Sequence, residues 1–235
     1  FEMDRVNAIL DDAKAGNSAF KSATLFMAGV GSTGANGVGE VLNGTVSPSG
    51  HMTDTWLWDI TKDITYANSG DFRYVAYVEY EEGIYMGYRY YETIDAIKDD
   101  GGEWYSSTVS YPFGYGLSYT TFSQTMSDIT VEDGALKFDV TVTNTGNTYS
   151  GKDVVQIYQT APYYTGGIEK AERVLVDFAK TDNIEPGGSR TVSFSIPVED
   201  LASYDYKTEK AYVLDGGEYT IIAGKNAHEA YDSKT

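Results

Sequence analysis

A chain of 235 residues is long enough for two modest domains, each with its own core. Its formal net charge of −18 weighs against nucleic acid as a partner, because phosphate binding runs on clustered Lys and Arg. The lack of cysteine removes disulfides, thiolate chemistry and cysteine–zinc sites, and no apolar run approaches the roughly 18 residues of a membrane span. The start, Phe1-Glu2-Met3-Asp4-Arg5, has neither the basic opening nor the apolar core of a signal peptide. Localisation therefore stays open between bacterial cytoplasm and secretion, and the chain reads as a fragment or processed piece as readily as a full-length product. With 21 tyrosines and 3 tryptophans, aromatic packing is the main resource. Such rings fill cores and interfaces, and they also stack on sugars.

In chain order, residues 6–10 form a short apolar run of strand or helix type, and 11–22 are polar and alanine-rich. Residues 23–28 read as a strand. They lead into Gly29-Val30-Gly31-Ser32-Thr33-Gly34 and a short helix over 36–42 closed by Asn43-Gly44. That loop is formally the GxGxxG of dinucleotide sites, with Asp54 as the following acid. No second buried strand precedes Asp54, so the βαβ unit fails and nucleotide binding is set aside. Trp56 and Trp58 share one face if extended, which makes either a buried face or a sugar platform. Residues 72–80 alternate as a strand.

The organising stretch is 79–122, where EEGIYMGYRYYET (81–93) and YPFGYGLSYTTF (111–122) are dense in tyrosine and broken by glycine. They read as a packed aromatic seam rather than a solvated loop or a helix. Gly83, Gly87, Gly114 and Gly116 mark turns or close backbone approaches. Residues 94–108, with the turn Asp99-Asp100-Gly101-Gly102, read as an exposed excursion. Seven strands follow, at 127–131, 135–143, 153–160, 172–178, 190–196, 210–214 and 218–223, separated by Asp-Gly, Asn-Thr-Gly and Pro-Gly-Gly turns. This spacing predicts a fibronectin-III-like β-sandwich.

The two aromatic runs, together with MAGVGSTGANGVGEVLNGTVSPSG (27–50) and VTVTNTGNTYSGKDVVQIYQTAP (140–162), resemble glycoside hydrolase family 3, the β-glucosidase family. The resemblance implies a partial α/β sandwich with its seam over 1–124 and an all-β fibronectin-III-like sandwich over 125–225; the polar residues 226–235 read as a tail. It implies retaining hydrolysis of terminal β-D-glucosides, which needs a nucleophile and an acid/base carboxylate. In this family the nucleophile belongs to a separate barrel domain, and the acid/base glutamate lies upstream of the segment matched here. The expected partner is thus a family 3 catalytic barrel, domain or chain, with an oligo-glucoside substrate; a homo-oligomer is open. A second reading is a stand-alone structural, assembly or carbohydrate-binding module. Val30-Gly31-Ser32 departs from the family's usual Pro-Gly-Gln wording.

No catalytic residue is assigned and the substrate-binding residues stay unknown. Ser127-Asp128-Ile129 does not replace the nucleophile motif, and Glu2-Met3-Asp4-Arg5 only echoes the acid/base region. Glu79, Glu81 and Glu82 form the nearest carboxylate cluster, expected to pair with Arg89 and water rather than to act as an acid. Arg89 is expected to anchor the seam by stacking and bidentate pairing. The two histidines, His51 and His228, have no second ligand at metal spacing and no nucleophile elbow, and Asp11-Asp12 and Asp99-Asp100 lack a calcium-loop ladder. No metal or cofactor is expected.

Overall fold

The computed structural model describes residues 8, 11, 15, 25–27, 29–66, 68 and 80–235. The readings of a strand over 72–80, of 6–10 and of 11–22 fall almost wholly outside them, as does Glu79. The chain divides into two compact units, 1–46 and 47–235.

In the first unit, helix α1 spans Gly31–Leu42. It starts five residues before the expected 36, so Gly31 and Gly34 of the GxGxxG are helical and only Gly29 precedes the helix, which leaves no phosphate-wrapping loop. Its end is a glycine-type cap, with the N–H groups of Asn43 and Gly44 donating to the Gly39 and Val41 carbonyls at 3.0 and 3.1 Å. Residues 25–27, expected in a strand, have no regular structure. Among the described residues this unit offers no partner strand to satisfy their backbone groups.

The second unit carries the sandwich. One sheet is centred on β5 (Ala135–Asn144), with β3 (Phe122–Met126) and β4 (Thr130–Glu132) along one edge and β8 (Ser189–Pro197) along the other. The second sheet runs β12–β11–β6–β7, with β6 at Val154–Thr160, β7 at Val174–Lys180, β11 at Thr220–Gly224 and β12 at Ala230–Lys234. Alternation decides which face turns inward. Phe138, Val140 and Val142 of β5 meet Phe194 and Ile196 of β8, and beneath them Val155, Ile157, Ile221 and Ala223 close the core. Phe138 and Phe194 stack at 5.5 Å. Asp133-Gly134, both at positive φ, make the β4–β5 hairpin turn, as a primed turn requires. At the far end β9 (Ser203–Asp205) pairs with β10 (Ala211–Val213).

One polar residue sits at the sandwich's centre of order. Asn144 is fully buried, and its side chain donates to the carbonyls of Tyr149 and Ile184 and accepts from Thr120 Oγ1 and the Gly146 N–H, so nothing on it is unsatisfied. Lys170 is likewise closed off, its Nζ donating to Pro162 O and Asp215 at 2.6 Å each.

Three expectations are corrected here. Phe122–Met126 is a strand of the sandwich, and Met126 belongs to its core. Residues 230–234, read as part of a polar tail, form β12, register-paired to β11, and Met126 N–H donates to Asp232 Oδ2 at 2.8 Å. Most consequentially, the stretch read as seam and exposed excursion contains two helices, α2 (Tyr88–Lys98) and α3 (Glu103–Thr108). Tyr91 and Tyr105 of these helices are buried with Leu57 and Val109 in a second core. That core rests on a short antiparallel pair, β1 (Trp56–Leu57) against β2 (Val109–Tyr111). No described helix is long and apolar enough to cross a membrane.

Candidate functional site

The inward face of α2 carries Tyr88, Tyr91, Glu92 and Asp95, the i, i+3, i+4, i+7 stripe of a helix. Tyr88, Glu92 and Thr93 fasten the helix to the sandwich. Tyr88 stacks on Phe113 at 4.7 Å and lies edge-on to Tyr158 at 6.0 Å, while its hydroxyl accepts from the Leu175 N–H at 2.8 Å. Thr93 Oγ1 accepts from the Glu172 N–H at 2.9 Å. Glu92, only 3% exposed, accepts from Tyr105 OH at 2.6 Å and pairs with His228 Nδ1 at 2.9 Å.

His228 comes from the β11–β12 turn, which Asn226 shapes by accepting from the N–H groups of residues 228 and 229. Its ring lies flat on Tyr105, centroids 3.7 Å apart and planes within 10°. The hydrogen bond to Glu92 raises the His228 pKa above its ordinary value, against the effect of burial. Burial beside the Glu92 charge drives the Tyr105 phenol far up, and burial raises Asp95 and Glu172 as well. Arg173 completes the joint by donating from Nη1 to the carbonyls of Ala227 and His228 at 2.7 and 2.8 Å. A cluster of shifted groups is a candidate for chemistry. Here, however, both Glu92 oxygens are occupied and sealed from solvent, so the arrangement is a buried polar clasp between helix and sandwich.

Two concavities open elsewhere in this unit. One, of about 430 Å³, is lined by Trp58, Asp59, Lys62, Tyr90 and Trp104 among others. The other, of about 530 Å³, lies where the loop 48–51 and the segment 116–122 meet the sandwich, beside His51, Asp153 and Tyr231. In the second, burial lowers the His51 pKa and raises that of Asp153, whose carboxylate accepts from Gln124 Nε2 at 2.8 Å. Gly116 lets the chain close this join, because a Cβ there would stand 2.6 Å from the Gly50 carbonyl oxygen.

The residues singled out from sequence fall as follows. Glu82 accepts from Asn68 Nδ2 at 2.7 Å and Glu81 is exposed, so they make no acid pair. Arg89 makes no ion pair with any described carboxylate; the anchoring arginine is Arg173, which reads carbonyls rather than carboxylates. Trp56 and Trp58 do not share a buried face, because β1 ends at Leu57 and leaves Trp58 38% exposed. Ser127-Asp128-Ile129 lies in the turn between β3 and β4. Asp99 caps α2 in the left-handed region, confirming the expected turn there. Among the described residues no three His, Asp or Glu side chains converge as a metal site would require. Glu92, His228 and Arg173 were not visible as a group, since 136 residues separate the two that pair.

A family model described as a fibronectin type III-like domain matches residues 153–227. Beta-glucosidase A of Butyrivibrio fibrisolvens is 37% identical over 211 residues, covering 81% of this chain and 24% of that protein. Among solved structures, a β-glucosidase from Paenibacillus barengoltzii superposes with a TM-score of 0.74 at 38% identity, over 86% of this chain and 21% of its own. The GH3 β-glucosidase of Bifidobacterium adolescentis gives 0.70 at 27% identity, over 86% of this chain and 27% of its own. The chain thus spans about a quarter of the length of the relatives it matches. By sequence and by fold it carries the fibronectin-III-like region of glycoside hydrolase family 3, together with the aromatic segment that leads into that region.

Proposed function

We propose that this chain supplies part of the non-barrel portion of a family 3 β-glucosidase, and that retaining hydrolysis of terminal β-D-glucosides takes place when a catalytic barrel, as domain or separate chain, provides the nucleophile and the upstream part of the α/β sandwich provides the acid/base glutamate. The observation that carries this reading is that the β-glucosidase matches cover 81–86% of this chain, well beyond residues 153–227 of the fibronectin-III-like match, at about a quarter of a β-glucosidase's length. The clasp at Glu92 suits such a role. It locks helix to sandwich, because Glu92 and Tyr105 come from the helices and His228 from the sandwich, and the Glu92–His228 pair forms only when both are present. Retaining chemistry needs two carboxylates about 5 Å apart on an open site; Glu92 is spent on Tyr105 and His228 instead.

The test is hydrolysis of a chromogenic β-glucoside by the purified chain, with and without a family 3 barrel and the upstream acid/base segment supplied in the same polypeptide or in trans. The folded chain alone is expected to give no turnover above buffer, and addition of the barrel together with the acid/base segment to give turnover. Hydrolysis by the chain alone that Glu82→Gln abolishes would overturn the reading and make the acidic run catalytic.

A further inference from the structure

The cleft beside β1 has no part in the reading above, yet it is built as a binding site. Trp58 is 38% exposed, although a tryptophan is among the most costly side chains to leave in water. Its ring is not loose: Nε1 donates to the Ser106 carbonyl at 3.0 Å. Trp104, on α3, stacks on Tyr91, which lines the same cleft, with centroids 6.5 Å apart and planes within 24°. Lys98 Nζ stands 5.8 Å from the Trp104 centroid. Tyr90 joins the lining, and the exposed Asp59 and Lys62 supply a polar rim. The volume of about 430 Å³ is within the range of small-ligand sites.

Pinned aromatic faces with hydrogen-bonding groups at the edge are complementary to a pyranose ring. In a β-linked glucose unit the ring hydrogens are axial, so both faces are carbon–hydrogen surface and the hydroxyls lie around the rim. The base of a nucleotide would also stack, but the nucleotide's phosphates meet a chain of formal charge −18. A neutral sugar carries no such penalty. We propose that the Trp58–Tyr90–Trp104 cleft binds a β-linked glucose chain by ring stacking, with Asp59 and Lys62 engaging its hydroxyls. The choice of glucose rests on the family 3 reading; the choice of a pyranose rests on the cleft.

The chain's 3 tryptophans make the test direct, since two of them line the cleft. Cellotetraose is titrated into the 235-residue chain, followed by tryptophan fluorescence and by calorimetry, with maltotetraose as the α-linked control. A saturable response to cellotetraose is expected, weakened by about tenfold or more, or about 1.4 kcal/mol, in Trp58→Ala. Lys62→Ala, at an exposed position, is expected to weaken it a few-fold while the circular-dichroism spectrum stays unchanged, which covers the case in which the tryptophan variant misfolds. No saturable response from the folded chain, equal affinity in wild type and both variants, or a cleft occluded by the barrel in the assembled enzyme would each overturn the proposal. Hydrolysis of a small chromogenic glucoside is read separately, so failure here leaves the barrel experiment standing.

Discussion

Gly114→Ala is expected to destabilise the chain by about 2–4 kcal/mol, summing the left-handed penalty and an overpacking term. In a unit of this size each kcal/mol lowers the melting temperature by about 2–4 °C, so a fall of about 5–15 °C is expected. Two causes add at this position. The backbone is at φ +81°, where a Cβ is strained, and that Cβ would overlap Gln156 Oε1 and sit 2.9 Å from its Cδ. The glutamine has nowhere to go. It is 4% exposed, its Nε2 donates to the Gly114 carbonyl at 3.0 Å, and its Oε1 accepts from Tyr158 OH at 2.7 Å. Gly134 separates the two causes, being at φ +75° with open space where the Cβ would go. Gly134→Ala is therefore expected to lose only about 1 kcal/mol, the backbone share alone. Thermal melts of both variants, followed by circular dichroism, read the difference. Equal melting temperatures would show that Gln156 yields and that the seam is not tightly packed against β6.

The position of Gly114 was legible in the sequence because its chemistry is local: a glycine between Phe113 and Tyr115 announces a turn or a close approach. The same holds for β5 and β8, where Phe138, Val140, Val142, Phe194 and Ile196 alternate with polar residues and the core face follows at once. Strand β3 was not legible, because one of its inward positions is Gln124, buried to 4% and bonded to Asp153, which breaks the apolar alternation. Strand β12, Ala-Tyr-Asp-Ser-Lys, has no apolar pattern at all and is fixed by pairing along the edge of β11. Helix α2 hid for the opposite reason. Its buried stripe ends in Glu92 and Asp95, so hydrophobic periodicity fades where the helix is most deeply engaged. The clasp itself has no sequence signature, since a histidine after β11 finds its carboxylate only through the fold. The cleft was half visible: Trp58 was noticed, but Trp104 joins it only because α3 exists.

Replacing Glu92 tests the clasp, and the size of the effect depends on pH. Glu92→Ala leaves Tyr105 OH without its acceptor and His228 without its counter-charge, and breaking a buried pair in this way costs about 3–5 kcal/mol. Glu92→Gln keeps an acceptor for the tyrosine and removes only the charge. In the native fold His228 titrates above its ordinary 6.5, chiefly through the hydrogen bond to Glu92. The stabilisation from that pair is complete below pH 6.5, where the imidazole is charged in folded and unfolded chains alike. It fades as the pH rises through the folded value. The melting-temperature gap between wild type and Glu92→Gln is accordingly expected to be wide near pH 6 and narrow near pH 9. Arg173 and Asp95 also face His228 and pull in opposite senses, lowering and raising its pKa, but neither bonds to the imidazole. Proton NMR provides the direct reading, because the chain has only 2 histidines and burial lowers His51 while Glu92 raises His228. In Glu92→Gln the higher-titrating resonance is expected to fall towards or below 6.5 while the His51 resonance stays in place. A pH-independent gap, or a His228 resonance that does not move, would show that the charge on Glu92 contributes nothing and that stacking on Tyr105 alone holds the histidine.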